Sequence, residues 1–472
     1  MSKLNRDVLY LIFEELNKNE KSLCSYLYVN KTWCEMMIPF LWKNPWKYTY
    51  SKNHERRLRK LLVDIIILHL SDEKINKLKS QGFYFSINSY KKPLFDYISY
   101  CKHLNLNEIK YTLKIIEMDF ILNEIINIFV NQNTTITHLY IPKQFDYQIH
   151  LIPGIEYYFS NIEFLSCNAN TNDDILNGLA EICKSVKELE LIINEKDNNH
   201  GIVRLVEFPE KLFNVRFLTN YVNRTHDESF WEVLENSLIK HINTIRHFKI
   251  GRQPITQILT HFTNLRSLDI TADYYSKGWH GFENVSLPFL QIIRTKGCFV
   301  TLLANLIGNT SRDLTEFTIH SGGGDIIGNR LVIQAVYKNC PNLKYFKLPL
   351  RNSSILELEN LLINCQYLDG LYILTKNSLE WDDLFEILVK SSPKSLYKFI
   401  ICFYYYKFKL ESLKLFFDNW KGRQPMILRL IQITKFGTEH KNLIEKYKSE
   451  GVIQEFSYSS DNIDEWTSKF NV

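Results

Sequence analysis

From about residue 134 onward the chain repeats one short pattern, apolar-x-x-apolar-x-apolar. Clear copies are Ile136-Thr137-His138-Leu139-Tyr140-Ile141 and the hexamers that start at Val186, Leu265, Leu314, Leu343, Leu368 and Leu396. Weaker copies begin near Ile162, Leu212, Ile245, Leu290, Leu428 and Ile453. The last apolar positions alternate with polar ones, the period of a strand. Between copies lie runs with apolar residues three and four apart, such as Ile175-Leu176-Leu179-Ile182-Cys183 and Leu358-Leu361-Leu362-Cys365, which predict helices. Cys340-Pro341-Asn342 and Ser392-Pro393-Lys394 mark the turn from helix into strand, because proline cannot continue a helix. The spacing averages about 26 residues. One helix–turn–strand unit cannot bury its apolar face alone, so the units are expected to stack into a solenoid, with short parallel strands inside and helices outside. An ordinary α/β domain is the other architecture such alternation allows.

The first forty-odd residues follow a different pattern. Val8, Leu9, Ile12, Phe13 and Leu16 recur at helical spacing, with Asn5 placed to cap the helix and Asp7 in its first turn. A second helical stretch is predicted over 20–34, with Leu23 and Leu27 on one face and a break near Asn30. Pro39 is expected to end the third stretch, before Leu41 and Trp42. So short a segment cannot bury that many large apolar groups alone, so its excess face needs the rest of the chain or another protein. Residues 45–133 read as a helical neck. Leu58, Leu61, Leu62, Ile65, Leu68 and Leu70 predict one helix, and 94–101 and 115–130 predict others.

The N-terminal run resembles an F-box, the helical module that docks substrate receptors onto the Skp adaptor of cullin–RING ubiquitin ligases. Leu4, Val8, Leu9, Ile12, Leu16, Leu23, Val29, Lys31, Trp33, Leu41 and Trp42 fill the slots of that family's pattern, including its Val-x-Lys-x-Trp step. Asn5 stands where the family usually has proline. The repeats resemble the degenerate leucine-rich repeats of F-box proteins, and the layout is similar to lineage-expanded fungal or protist members. The resemblance implies an α/β chain of three parts: an F-box over 1–44, a helical neck over 45–133 and a leucine-rich-repeat solenoid over 134–472. It implies Leu4, Val8, Leu9, Ile12, Leu16, Leu23, Val29, Trp33, Leu41 and Trp42 as adaptor-binding residues. The function it implies is that of a non-catalytic substrate-recognition subunit of a Skp–cullin–F-box ligase that holds a protein target. A repeat scaffold with no ligase role is the alternative.

Strand side chains alternate, so residues beside the central apolar position of each motif should face the open side of the sheet. Candidate target-binding residues there are Glu188, Glu190, Lys249, Asp269, Glu316, Tyr345, Lys347, Tyr372 and Lys398.

Composition narrows the remaining classes. Of 472 residues, 45% are hydrophobic, enough for a large interior and against wholesale disorder. The net charge of +5 comes from 57 basic and 52 acidic residues, too even a balance to imply nucleic-acid binding. The basic cluster His54-Glu55-Arg56-Arg57-Leu58-Arg59-Lys60 reads as a solvated helix face. No apolar run approaches the roughly 20 residues of a membrane span, and no signal peptide is evident, so a cytosolic or nuclear location is expected. Nine scattered cysteines read as reduced, buried thiols. The stretch Ser321-Gly322-Gly323-Gly324-Asp325 lacks the Lys-Ser/Thr of a phosphate loop, since Asn329 and Arg330 follow instead. The thirteen histidines form no zinc-type spacing, and Trp381-Asp382-Asp383 suits a helix start. No cofactor, metal, nucleic-acid or membrane partner is expected.

Overall fold

The computed structural model describes residues 5–16, 23–49, 55–80, 92–131, 133–194, 199–219, 227–271, 284–297, 300–310, 312–320, 326–375, 379–403, 409–432 and 437–459. The chain divides into two units, Met1–Ser237 and Leu238–Val472. The division falls within the stretch expected to form one solenoid.

Unit one opens with α1 (Arg6–Leu16), α2 (Leu23–Tyr26) and α3 (Lys31–Lys43). The Asn30 side chain starts α3 by accepting from the Trp33 backbone N–H at 2.9 Å. Contrary to expectation, α3 runs through Pro39. The proline removes one helical hydrogen bond, but the residues beyond it are tied down. Trp42 is buried and stacked on Tyr97, with ring centroids 4.5 Å apart, and the Lys43 carbonyl accepts from Lys102 N at 3.0 Å. Here tertiary packing outweighs the local penalty.

Then come α4 (Glu55–Ile67), α5 (Asp72–Ser80), α6 (Tyr97–Tyr100), β1 (His103–Asn105), α7 (Leu106–Ile115) and α8 (Leu122–Phe129). The repeat sheet therefore begins inside the stretch read as a neck: β1 pairs in parallel with β2 (His138–Ile141), His103 opposite His138. The sign was present in Cys101-Lys102-His103-Leu104-Asn105-Leu106, where cysteine takes the first apolar place and all three apolar positions are fully buried. Unit one continues with α9 (Ile155–Phe159), β3 (Phe164–Asn168), α10 (Asp173–Ile182), β4 (Glu188–Ile193), α11 (Gly201–Glu207), β5 (Asn214–Thr219) and α12 (Glu228–Ser237). Its five strands pair in parallel in chain order.

Unit two contains β6 (His247–Ile250), β7 (Ser267–Thr271), β8 (Ile292–Lys296), α13 (Val300–Gly308), β9 (Glu316–His320), α14 (Ile326–Asn339), β10 (Tyr345–Pro349) and α15 (Ile355–Asn364). It ends with β11 (Gly370–Thr375), α16 (Trp381–Ser391), β12 (Lys398–Phe403), α17 (Leu410–Trp420), β13 (Met426–Gln432), α18 (Thr438–Ser449) and β14 (Ile453–Ser459). These nine strands also pair in parallel, each with the next in sequence. Each of the motifs read from the sequence carries one strand from β2 to β14. Both units thus have the α/β architecture of a leucine-rich-repeat solenoid.

One backbone device recurs from repeat to repeat. Two successive N–H groups at the start of a strand donate to a single carbonyl of the preceding repeat. Lys187 and Glu188 donate to Glu163 O at 2.8 and 2.9 Å, and Asp369 and Gly370 donate to Lys344 O at 2.8 and 3.0 Å. The first apolar residue of each motif lies just before this staple and fills the core, as Val186 and Leu368 do. The alternate strand positions join it, among them Leu189 and Leu191 in β4 and Leu371 and Ile373 in β11.

Gly178 shows how closely the helical layer packs. A Cβ on it would lie 2.3 Å from the His150 ring. Helix propensity alone would make Gly178→Ala stabilising by about 1 kcal/mol. The clash is expected to reverse that sign and cost about 1–3 kcal/mol in urea unfolding. A stabilised Gly178→Ala variant would mean that the imidazole moves aside freely.

Candidate protein-binding surfaces

The N-terminal helices present the first surface. Leu9 and Phe13, four residues apart on α1, turn inward against Met37 of α3, and all three are buried. Trp33 meets Phe13 edge-to-face with centroids 5.0 Å apart, while Tyr26, Leu27, Phe40 and Leu41 close the small core around them. The opposite face of α1 stays in solvent: Val8 is exposed and Leu11 is 64% exposed. Tyr28 and Val29, in the turn before α3, are exposed as well, Tyr28 by 89%. The expected adaptor-binding set therefore splits. Val8 and Val29 face outward, Ile12 is half-buried, and Leu9, Trp33, Leu41 and Trp42 are spent wholly or partly on internal packing. Leu16 and Leu23 lie in α1 and α2 with side chains outside the described residues, as is Leu4 altogether. Leu11 and Tyr28, which lie outside that set, are exposed apolar residues too, and Leu11 follows Val8 at helical spacing.

The sheet face away from the buried strand positions presents the second surface. In unit one, His103, His138, Phe164, Glu188 and Asn214 stand in register across β1–β5, with Asn105, Tyr140, Ser166, Glu190 and Arg216 in the row two residues on. His103 and His138 stack with centroids 3.8 Å apart, and Phe164 continues the stack 5.5 Å beyond His138. Arg216 lies 3.6 Å from Glu188 and 3.4 Å from Glu190. Asn214 donates to Glu188 at 3.0 Å and Ser166 to Glu190 at 2.9 Å.

In unit two, Asp269, Arg294 and Glu316 form an ion ladder across β7–β9. Arg294 is bidentate to Glu316 at 2.8 and 3.1 Å and 3.7 Å from Asp269. Lys398 lies over the rings of Tyr345 and Tyr397, and Lys249 is half-buried. Lys347 and Tyr372 depart from the expectation of solvent-facing contacts, since both are fully buried. The Lys347 ammonium lies 2.9 Å from His320 Nδ1 and 4.4 Å above the Tyr372 ring. The reason is that β11–β13 also carry apolar residues at several open-face positions. Tyr372, Leu374, Ile400, Cys402 and Ile431 form a second, smaller core.

Burial pushes the Cys101, Cys167, Cys183, Cys340 and Cys365 thiols up to about 12, so these sulfurs carry little of the nucleophilic thiolate. Among the described residues no group of three His, Cys, Asp or Glu side chains is placed to hold a metal ion, and no helix is long and apolar enough to cross a membrane. The glycine-rich stretch at 321–325 lies outside the described residues.

Burial, then the neighbouring His138 and Lys43, lowers the His103 imidazole from 6.5 to about 3, and burial lowers His138 in the same direction. Between those two values the unfolded chain binds a proton at His103 that the folded chain refuses. Stability from this residue is therefore complete above about pH 6.5 and is lost as the pH falls towards 3. Allowing for a partly solvated ring, the loss at about pH 5 should be on the order of 1 kcal/mol. Thermal melts between about pH 7 and 5 should show a shallower decline for His103→Phe than for wild type. Parallel declines would contradict the neutral imidazole.

No protein-family model matches the chain, and no curated protein matches it. Among solved structures, the chain is similar to yeast Rad7 in its complex with Elc1, with a TM-score of 0.39 and 13% identity over 66% of this chain and 81% of that one. It is also similar to the leucine-rich repeat-containing protein LegL7 of Legionella pneumophila, with a TM-score of 0.35 and 12% identity over 66% of this chain and 98% of that one.

Proposed function

We propose that this chain is a non-catalytic substrate-recognition subunit of a Skp–cullin–F-box ubiquitin ligase, working in the cytoplasm or nucleus. The N-terminal helices dock a Skp-type adaptor, and the open sheet faces hold a target protein. Rate enhancement comes from proximity, because a tethered target meets the ubiquitin-charged enzyme at high local concentration. The observation that supports this reading is the apolar side chains left open at Val8 and Leu11 on α1 and at Tyr28 and Val29 before α3, beside a core already filled by Leu9, Phe13 and Met37. Apolar side chains left in solvent on a small helical module suit a docking contact. The Val29-x-Lys31-x-Trp33 step gives the class of partner by its F-box resemblance.

Co-purification with a Skp adaptor tests it. Wild type should retain the adaptor stoichiometrically, and Val8→Glu with Leu11→Glu should lose it by more than about 100-fold while remaining folded. A folded wild-type chain that retains no adaptor overturns the proposal. The stacking of Trp42 on Tyr97 favours a second reading, in which the helices only cap the repeat array. That reading leaves a repeat scaffold that binds proteins without a ligase.

A further inference from the structure

We infer that the open sheet face of unit one, over β1–β4, takes a basic protein segment, with an arginine or lysine beside Glu188 and an apolar side chain against the neighbouring rings. The inference rests on reading the sheet face as the target face, and it names the class of target.

Four rings gather there. His103, His138 and Phe164 stack across three strands, with successive planes 24° and 23° apart, and Tyr140 lies 5.0 Å from Phe164. His103, His138 and Tyr140 each keep part of their surface open. Half-buried aromatic groups held rigidly on a sheet are the usual anchors of protein recognition. Both imidazoles are neutral near pH 7, because burial lowers them, and each Nδ1 already meets a hydroxyl: Tyr140 for His103 and Thr137 for His138. The rings therefore do not repel a cation.

The charge beside them is negative. Glu188 and Glu190 on β4 share one guanidinium, Arg216, at 3.6 and 3.4 Å. Close charge-assisted bonds run at about 2.7–2.9 Å. Two carboxylates thus face one loosely placed cation, and the Glu188 side chain remains 47% exposed. Nearby Glu163 is closed off by Lys187 at 2.6 Å. His138 feels Glu188 and Glu163 more strongly than it feels Lys43. The negative charge of this face is therefore gathered at its β4 end. A cation at the β4 end meets carboxylates and an aromatic ring together, whereas an acidic segment meets like charge.

The test uses the full chain and fluorescein-labelled hexaarginine and hexaglutamate, read by anisotropy at about 0.15 M salt. The chain carries a net charge of +5, so binding a cationic peptide opposes its overall field and reports a local site. Hexaarginine should bind at least tenfold more tightly than hexaglutamate. Glu188→Gln with Glu190→Gln should weaken it at least tenfold, and so should His138→Ala, which leaves the acids in place. Glu439→Gln, on the exposed first turn of α18, should leave it unchanged. If His138→Ala fails to fold by circular dichroism, Tyr140→Leu replaces it. Equal binding of the two peptides, or hexaarginine binding indifferent to these substitutions, overturns the inference. Adaptor capture is measured on the same samples. Adaptor retained without hexaarginine binding sinks this inference alone, and hexaarginine bound without adaptor sinks the ligase reading alone.

Discussion

Arg59→Ala is expected to destabilise unit one by about 3–5 kcal/mol, because it strands a buried carboxylate. Arg59 on α4 meets Glu108 on α7 at 2.7 Å, with side chains 10% and 12% exposed, and its guanidinium lies 5.0 Å over the Tyr111 ring. Removing one partner forfeits the attraction and leaves the other charge with its full desolvation penalty. Replacing both, as Arg59→Met with Glu108→Leu, removes that penalty along with the bond. The double variant should fall within about 1 kcal/mol of wild type. Urea unfolding of the four members of this cycle measures the difference. If Arg59→Ala costs less than about 1 kcal/mol, water reaches Glu108 and the pair is not a buried one.

The same residue shows where reading the sequence stops. Arg56, Arg57, Arg59 and Lys60 look alike as a basic run, and a solvated face is the economical expectation. Arg56 and Arg57 are indeed exposed. What buries Arg59 is an acid forty-nine positions later, and one-dimensional periodicity carries no sign of that pairing. Repeats are legible for the opposite reason. Each strand is specified by its own six residues and its staple to the adjacent repeat, so local pattern and tertiary contact coincide. The open face falls between these cases. Alternation predicts which residues leave the main core, but not that Leu374, Cys402 and Ile431 bury Tyr372 on the other side. The motif beginning at Cys101 is harder to read, because cysteine stands in an aliphatic place. In the N-terminal helices the apolar stripe was legible, but its split into inward Leu9 and Phe13 and outward Val8 and Leu11 depends on where α3 lies.

Trp42→Ala should cost about 3–5 kcal/mol, the range for truncating a buried aromatic. The F-box resemblance places Trp42 among adaptor contacts, yet its ring is buried and stacked at 29° on Tyr97 of α6, just beyond Pro39 in the same helix. Its loss should open the joint between α3 and the start of the repeats. It removes the stacking that offsets the helical bond lost at the proline and leaves a cavity that Tyr97 alone cannot fill. Trp42→Phe keeps an aromatic plane and should recover more than half of the loss. Val8 and Leu11 behave differently, because their side chains already stand in water. Glu at those positions should change stability by no more than about 0.5 kcal/mol. Measured together, thermal unfolding and adaptor capture separate the two readings of the N-terminal helices. Docking requires that the Val8/Leu11 variant lose the adaptor at unchanged stability, and that Trp42→Ala lose stability first. A cap alone requires that the Val8/Leu11 variant behave as wild type in both. If Trp42→Ala leaves the melting temperature unchanged, the helices are not anchored to the repeats through this stack, and the joint must lie elsewhere along α3.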